Sequence, residues 1–512
     1  MFIVITLLTI IIALFYYICV KPMYYWKNQG VKQTPIVWIL GDNWRNVFKM
    51  ESLSEMVKRT YDFAPGTRYS AMCQFITPQL IIKDPELIKL ITIKHFDHFV
   101  DHKTFVTERA DPLFGKNLFS LTGQRWRDMR PILSPSFTSS KMKSMFVLMA
   151  DCAKSFTNFF LQKNQDVVEV EMKDVFSRYT NDVIASTAFG IEVNSLKEPN
   201  NDFYRMGKKA TSFDSLGQRL KFFALLLCPE ILYYLNIGFF DKEISQFFMD
   251  LVSNNIKVRK EKGITRPDVL QLLMDAQKPE DEINGENIDS KTGKLSITDI
   301  VAQALIFFFA GFDGVSSSMC FMAYELAVNV DVQSKLREEI NETLDKYDGK
   351  PTYDGILKMQ YLDMVVSEVL RKWPIGQGTD RVCTIPYTIE PVRADEKPIT
   401  VKEGDTLWLP IFGIHRDPEI YPDPDRFDPE RFNDENKAKI DPYLYMPFGF
   451  GPRSCIGNRF ALQEMKIVFF YLLANFEIIP IAKTVIPIQL SKGTLNATAE
   501  GGFPLGLKRI VK

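Results

Sequence analysis

The chain opens on an unbroken apolar run. Residues Phe2–Val20 carry no charge over 19 positions. At 1.5 Å per residue such a helix approaches the ~30 Å hydrocarbon core of a bilayer. A cleaved signal would carry a basic start, a shorter apolar stretch and a small-x-small site. Here Met1 leads straight into Phe2, and the run is followed by Lys21, Tyr24, Tyr25, Trp26 and Lys27, residue types that anchor at the membrane interface. From Lys21 to Lys49 five basic residues (Lys21, Lys27, Lys32, Arg45, Lys49) stand against one acid, Asp42. The positive-inside rule therefore puts the bulk of the chain in the cytosol. The pattern predicts an uncleaved anchor over 1–20, a basic linker over 21–50 and one large domain over 51–512. Sequons at Asn341 and Asn496 then never meet the glycosylation machinery.

No later run is expected to match the first. Residues 222–240 are apolar but interrupted by Pro229, Glu230 and Asn236, which reads as a core helix pair or a surface dipping into lipid. Tyr69–Phe75 and Gln79–Lys83 read as strands. Asp84 followed by Pro85 is a helix start. Helical patterns fill 141–276, and the charged, non-periodic stretch 278–294 reads as an exposed linker. Ser296 with Asp299 resembles a capping box and opens a long apolar helix to about Asn329. A helix over 361–372 ends before Pro374, short strands and loops occupy 382–452, and a last long helix runs from Ile456 to about Asn475. The class is mainly α with small β-sheets.

Composition narrows the function. The 512 residues are 46% hydrophobic and 24% charged, as in an ordinary globular chain. A net charge of −1 excludes the basic footprint of a global nucleic-acid binder. Seven cysteines, none in a C-x-x-C pair, exclude zinc ribbons and covalent C-x-x-C-H haem attachment. An odd, scattered set fits a reducing compartment. Forty phenylalanines promise large apolar contact surfaces.

The chemistry concentrates in Phe448-Gly449-Phe450-Gly451-Pro452-Arg453-Ser454-Cys455-Ile456-Gly457. Two glycines permit a tight turn that aims N–H groups at the sulfur. Cys455 sits just before a helix, whose N-terminal dipole favours a thiolate. Gly457 leaves room for something flat, and Arg453 offers a cation to a carboxylate. Thiolate, flat apolar ligand and acidic group together describe haem.

With F-x-x-G-x-R-x-C-x-G matched in full, the chain resembles the cytochrome P-450 family of haem-thiolate monooxygenases, in particular its insect detoxification enzymes. The resemblance implies that fold, as a single catalytic domain behind its anchor. It makes Cys455 the axial ligand of a non-covalent haem b iron, with Phe448 beside the sulfur. Trp126 and Arg130, four apart on a helix, together with Arg381 and Arg453 are implied to hold the haem propionates. Glu368 and Arg371 would meet Arg431 in a buried network that supports the cysteine loop. His95, His98 and His102 have metal-like spacing, but the family shows such a stretch as a loop without metal.

Ala310-Gly311-Phe312-Asp313-Gly314 lies inside the long apolar helix. Two glycines there cost about 1 kcal/mol each relative to alanine, so close packing or a local opening must compensate. The resemblance makes this the distal helix and Asp313 the acid of the proton-delivery pair. The family then carries a threonine whose hydroxyl assists that delivery; this chain has Gly314. By α-helical spacing Ser316 falls on the opposite face, and Ser317 on the same side but about 4.5 Å further along. An ordered water is the simplest substitute.

Phe307, Phe309, Ala310, Ile375, Gly376 and Thr494 are the expected pocket wall, suited to a lipophilic substrate. Arg125, Arg127, Arg459 and Lys466 would make a basic proximal face for an acidic flavoprotein. The expected partners are NADPH-cytochrome P-450 reductase, which supplies NADPH electrons, cytochrome b5 and the endoplasmic reticulum membrane, with the domain on the cytosolic side. Two alternatives stay open: a haem-thiolate isomerase or dehydratase that uses no dioxygen, suggested by the missing threonine, and a haem-binding sensor or carrier without turnover.

Overall fold

The computed structural model describes residues 1–104, 106–212, 216–227, 229–235, 237–276, 295–394, 396–492 and 497–510. The predicted linker over 278–294 and the pocket residue Thr494 lie outside them. Helix α1 (Phe2–Phe15) has no buried residue. It continues as a helical run to Asn28 with a mean hydropathy of 2.8. A second helix, Ile297–Val328, is also long and apolar enough to cross a membrane by length and composition, but its mean hydropathy is lower, at 1.6. Most of its residues are buried, and it runs through the core of the domain.

The segment expected to be a linker, 21–50, is packed on the domain instead. Trp26 is fully buried. Asp42 accepts from Thr34 Oγ1 and from the Cys73 amide, and Arg59 pairs with Asp42 at 3.1 Å. Its five basic residues, Lys21, Lys27, Lys32, Arg45 and Lys49, stay exposed.

Helix α2 (Leu53–Asp62) starts on a full capping box of Ser52 and Glu55. Strands β1 (Tyr69–Gln74) and β2 (Thr77–Ile82) form an antiparallel hairpin. Asp84 then caps α3 (Pro85–Lys89) with Pro85 at its first position. The helices that build the site come next: α4 (Gly123–Leu133), α5 (Ser139–Leu161) and, after strand β3 (Val167–Glu171), α6 (Met172–Ile184). Strand β3 interrupts a region whose pattern reads as wholly helical. Its Val-Glu alternation gives one buried and one exposed face, and its partner lies at the far end of the chain.

Helices α7 (Asp202–Thr211), α8 (Leu216–Leu227), α9 (Pro229–Tyr234) and α10 (Lys242–Lys262) come before the central helix. That helix consists of α11 (Ile297–Phe309), a π-helical turn (Ala310–Val315) and α12 (Ser316–Val328). Its Ser296–Asp299 capping box is complete. Helix α13 (Gln360–Lys372) leads to β4 (Thr379–Val382), β5 (Tyr387–Ile389), β6 (Ile399–Val401) and β7 (Thr406–Leu409). Helix α14 (Asn458–Leu473) precedes β8 (Phe476–Pro480) and β9 (Pro504–Arg509).

Among the described residues the sheets order as β1-β2-β7-β4, β3-β9-β8 and β5-β6. One apolar core runs through the helices around Phe176, Phe308, Met319 and Phe469. A second lies on the four-stranded sheet around Trp26, Leu80 and Leu407. The cysteine loop touches both, through Phe448 and Ile456 on the first and Phe450 on the second.

Candidate haem-thiolate active site

Gly449 and Gly451 take φ of +70° and +73°, a region closed to most side chains. Gly451 has a second reason: a Cβ there would strike the Thr92 carbonyl. The Cys455 amide donates to the Phe448 carbonyl at 2.9 Å, and the Ser454 amide to Gly451 at 3.0 Å. These bonds hold the sulfur just ahead of α14. Burial pushes the Cys455 thiol up, while the Gly457 N–H and the Arg130 cation act in the opposite direction. Although it is surrounded by protein, the Cys455 side chain is left open rather than covered. Beside it, a Cβ on Gly457 would find only Phe137, at 3.8 Å.

Three arginines converge near this thiol. Arg453 donates from Nε to Val100 O (2.8 Å), from Nη1 to Leu118 O (3.3 Å), and from Nη2 to Leu121 O (2.7 Å) and Asp101 Oδ1 (3.2 Å). Its guanidinium lies 4.1 Å over the Trp126 ring. Protein acceptors thus take most of its donors, and one Nη1 N–H remains. Arg381, held on β4 opposite Leu407, bonds Asp380 O and Phe450 O. Its buried Nε has no partner. The Arg130 guanidinium has no hydrogen bond or ion pair among the described residues.

Burial is the main cause that lowers all three, Arg453 to about 9 and Arg381 to about 10. Asp101 and Asp380 are the opposing acids, and Asp380 is shared with His102 at 3.0 Å. Buried cations this short of counter-charge suit an anionic ligand. Two carboxylates on a flat group that reaches the open thiol meet that need. The donor set fits haem.

In support of the loop, Arg371 grips Glu368 with two bonds of 2.7 and 2.8 Å, both residues being fully buried. Arg371 also donates to His415 O and Pro424 O, and the Asp428 amide to Glu368. Arg431 completes the group as an ion pair 3.5 Å from Glu368, with its Nη2 on Asp423 O.

The two glycines of the central helix differ. A Cβ on Gly311 would lie 2.8 Å from Ile184 Cδ1, so that side chain would have to shift; one on Gly314 would meet only Ile375 Cγ2, at 3.7 Å. The helix also opens here, as the π-turn. Asp313 Oδ1 lies 2.8 Å from the Nζ of Lys173, a residue that no motif or spacing singles out. Ser316 and Ser317 both bond the same ammonium, at 2.9 and 2.7 Å. Asp313, Ser316 and Ser317, spaced three and four apart, thus share the face turned to α6.

The pocket set divides. Phe307 contacts Phe137, whereas Phe309, two residues on, faces Phe239 and Phe240. Ala310 is open, and Ile375 lies beside Gly314. A Cβ on Gly376 would have nothing within 4 Å. The basic proximal face is smaller than expected. Lys466 is buried on Asp363 at 2.6 Å, Arg125 pairs with Glu108, and Arg127 with Asp97; Arg459 reaches Ser139. His98 contacts the Ile385 and Pro386 carbonyls, and His95 packs on Tyr387.

An open thiol at a helix start, faced by arginines in need of anions, is what thiolate-ligated haem requires of a protein. Comparison with known proteins agrees. The family model described as Cytochrome P450 matches residues 35–503. The chain is 46% identical over 504 residues to Cytochrome P450 9e2 of Blattella germanica, covering 94% of this chain and 93% of that one. It is 42% identical over 508 residues to Probable cytochrome P450 9f2 of Drosophila melanogaster, covering 97% of each, and 35% identical over 509 residues to Cytochrome P450 6k1 of Blattella germanica, covering 98% and 95%. The chain belongs to the cytochrome P450 family. It is an enzyme of the haem-thiolate monooxygenase class, with a cysteine-ligated haem iron. Its apolar N-terminal helix fits membrane association.

Proposed function

We propose that this enzyme oxygenates lipophilic organic compounds (xenobiotics, insecticides, hormones or fatty acids) on the cytosolic face of the endoplasmic reticulum. Electrons come from NADPH through a flavoprotein reductase, with cytochrome b5 as a second donor. The observation that carries the reading is the open Cys455 thiol among Arg130, Arg381 and Arg453.

When bound, haem supplies the activation of dioxygen. The chain's own residues do the rest. Cys455 would hold the iron, with the Gly457 N–H and Arg130 working against the burial that raises its thiol. Arg130, Trp126 and the spare donors of Arg381 and Arg453 hold the propionates, and Arg guanidinium suits carboxylate contact. Glu368, Arg371 and Arg431 fix the loop that carries the cysteine. Asp313 relays protons from the side of Lys173. Phe307, Ala310, Ile375 and Gly376 offer an apolar wall, and Gly314 leaves space beside it.

The test is Cys455→Ser in purified protein. The red-shifted, thiolate-type band of the reduced carbon monoxide complex should vanish, and so should NADPH-supported oxygenation with added reductase. A normal band in the variant would overturn the ligand assignment. A wild type that reacts with a lipophilic panel only without NADPH would overturn the electron source.

A further inference from the structure

One stripe of α6 faces the π-turn of the central helix. Lys173, Ser177, Thr180 and Ile184 succeed one another at helical spacing, and each contacts the turn or the residues just after it. Ile184 occupies the space that Gly311 leaves. Thr180 Oγ1 donates to Phe312 O at 3.0 Å, and Ser177 Oγ lies 3.4 Å from Ser316 Oγ. Lys173 Nζ reaches Asp313 Oδ1 at 2.8 Å, Asp313 O at 3.2 Å and the Ser316 and Ser317 hydroxyls. Two successive carbonyls of the opened turn, Phe312 and Asp313, thus take donors from a different helix. A π-turn departs from the i−4 ladder of an α-helix and needs outside contacts to hold its shape.

We propose that Lys173 is a positioning residue of the distal site, holding the π-turn open from α6 with Thr180 and turning the Asp313 carboxylate toward α6. This deepens the reading of Asp313 as the proton relay and rests on it in part. Lys173 touches no substrate; it acts through Asp313 and the turn. With the ammonium gone, the turn loses the cation that gathers one carboxylate, one carbonyl and two hydroxyls. The space beside Ala310 and Gly314 then changes shape, and the carboxylate is released.

The experiment uses ferric holoenzyme with imidazole as the distal probe, read by the Soret shift. Product per NADPH is a second readout, and thermal stability a third. Lys173→Met should weaken imidazole binding about 3- to 10-fold, as coupled neighbours do, and change product per NADPH. Lys173→Arg, which keeps a cation, should restore most of both. In an Asp313→Asn background the effect of Lys173→Met on product per NADPH should largely disappear. Lower thermal stability with unchanged imidazole affinity and unchanged product yield would overturn the proposal and leave Lys173 a plain ion pair. If Asp313→Asn alone leaves product per NADPH unchanged, the relay reading fails, while the imidazole titration still decides whether Lys173 shapes the turn. Should Lys173→Met yield no holoenzyme, Thr180→Val decides by the same titration, with the same direction expected and no change refuting.

Discussion

Gly314 permits a clean separation of backbone and hydroxyl effects. A Cβ added there meets only Ile375 Cγ2, at 3.7 Å, an ordinary van der Waals distance, so the chain has room for the Cβ of either alanine or threonine. Gly314→Ala removes a helix glycine and should stabilise by up to ~1 kcal/mol. Threonine is a poorer helix former, so Gly314→Thr should gain only about 0.3 kcal/mol. The hydroxyl acts elsewhere. Asp313 is turned to Lys173, Ser316 and Ser317 are bonded to the same ammonium, and none of them stands in for the missing threonine. On the proposed reading of Asp313 as the relay, proton delivery would then depend on water that no side chain at position 314 orients. The wild type should release appreciable hydrogen peroxide. One added hydrogen bond is worth about 0.5–1.5 kcal/mol net, which converts to roughly a 2- to 10-fold shift from peroxide toward product. The assay is product and peroxide per NADPH for wild type, Gly314→Ala and Gly314→Thr with one common substrate. Equal yields in the alanine and threonine variants would refute the hydroxyl argument. Tight coupling in the wild type would mean that another group already does the work.

Arg371→Met strips the fully buried Glu368 of both its short bonds and should cost about 3–5 kcal/mol, read as loss of the thiolate-type carbon monoxide spectrum at a lower temperature than in wild type. Buried His415 accepts the Met446 amide through Nε2 and is lowered from 6.5 to about 3, first by burial and then by Arg371. The stability tied to its neutral form is complete above pH 6.5 and is lost as pH falls toward 3. His415→Gln should therefore shrink the stability difference between pH 7.5 and pH 5.5 by about 1.4 kcal/mol, measured by denaturant melts at the two pH values; an unchanged difference would refute it. Deleting residues 2–20 should lower membrane association without abolishing it, because Tyr234 and Leu235 are exposed at 80% and 61%; flotation with liposomes measures this, and unaltered binding would discount the anchor.

Local chemistry was legible in the order of residues. The uncharged run at the start, the Asp84-Pro85 and Ser296–Asp299 helix starts, and the glycine-flanked Cys455 all act through neighbours a few positions away, so one stretch of sequence contains both partners. The motif around Cys455 was specific enough to identify the family and so the fold.

Contacts between distant segments were decided by the tertiary structure. Strand β3 exists because β9, over 300 residues later, supplies its ladder. Lys466 reads as a surface cation until Asp363 and the core of α14 bury it. The two glycines of the distal helix look alike in sequence, yet Ile184 packs closely on one, while only Ile375 comes near the other. Lys173 carried no local signal at all. Its partners Asp313, Ser316 and Ser317 lie at least 140 residues away, and only the packing of α6 on the central helix brings them to it.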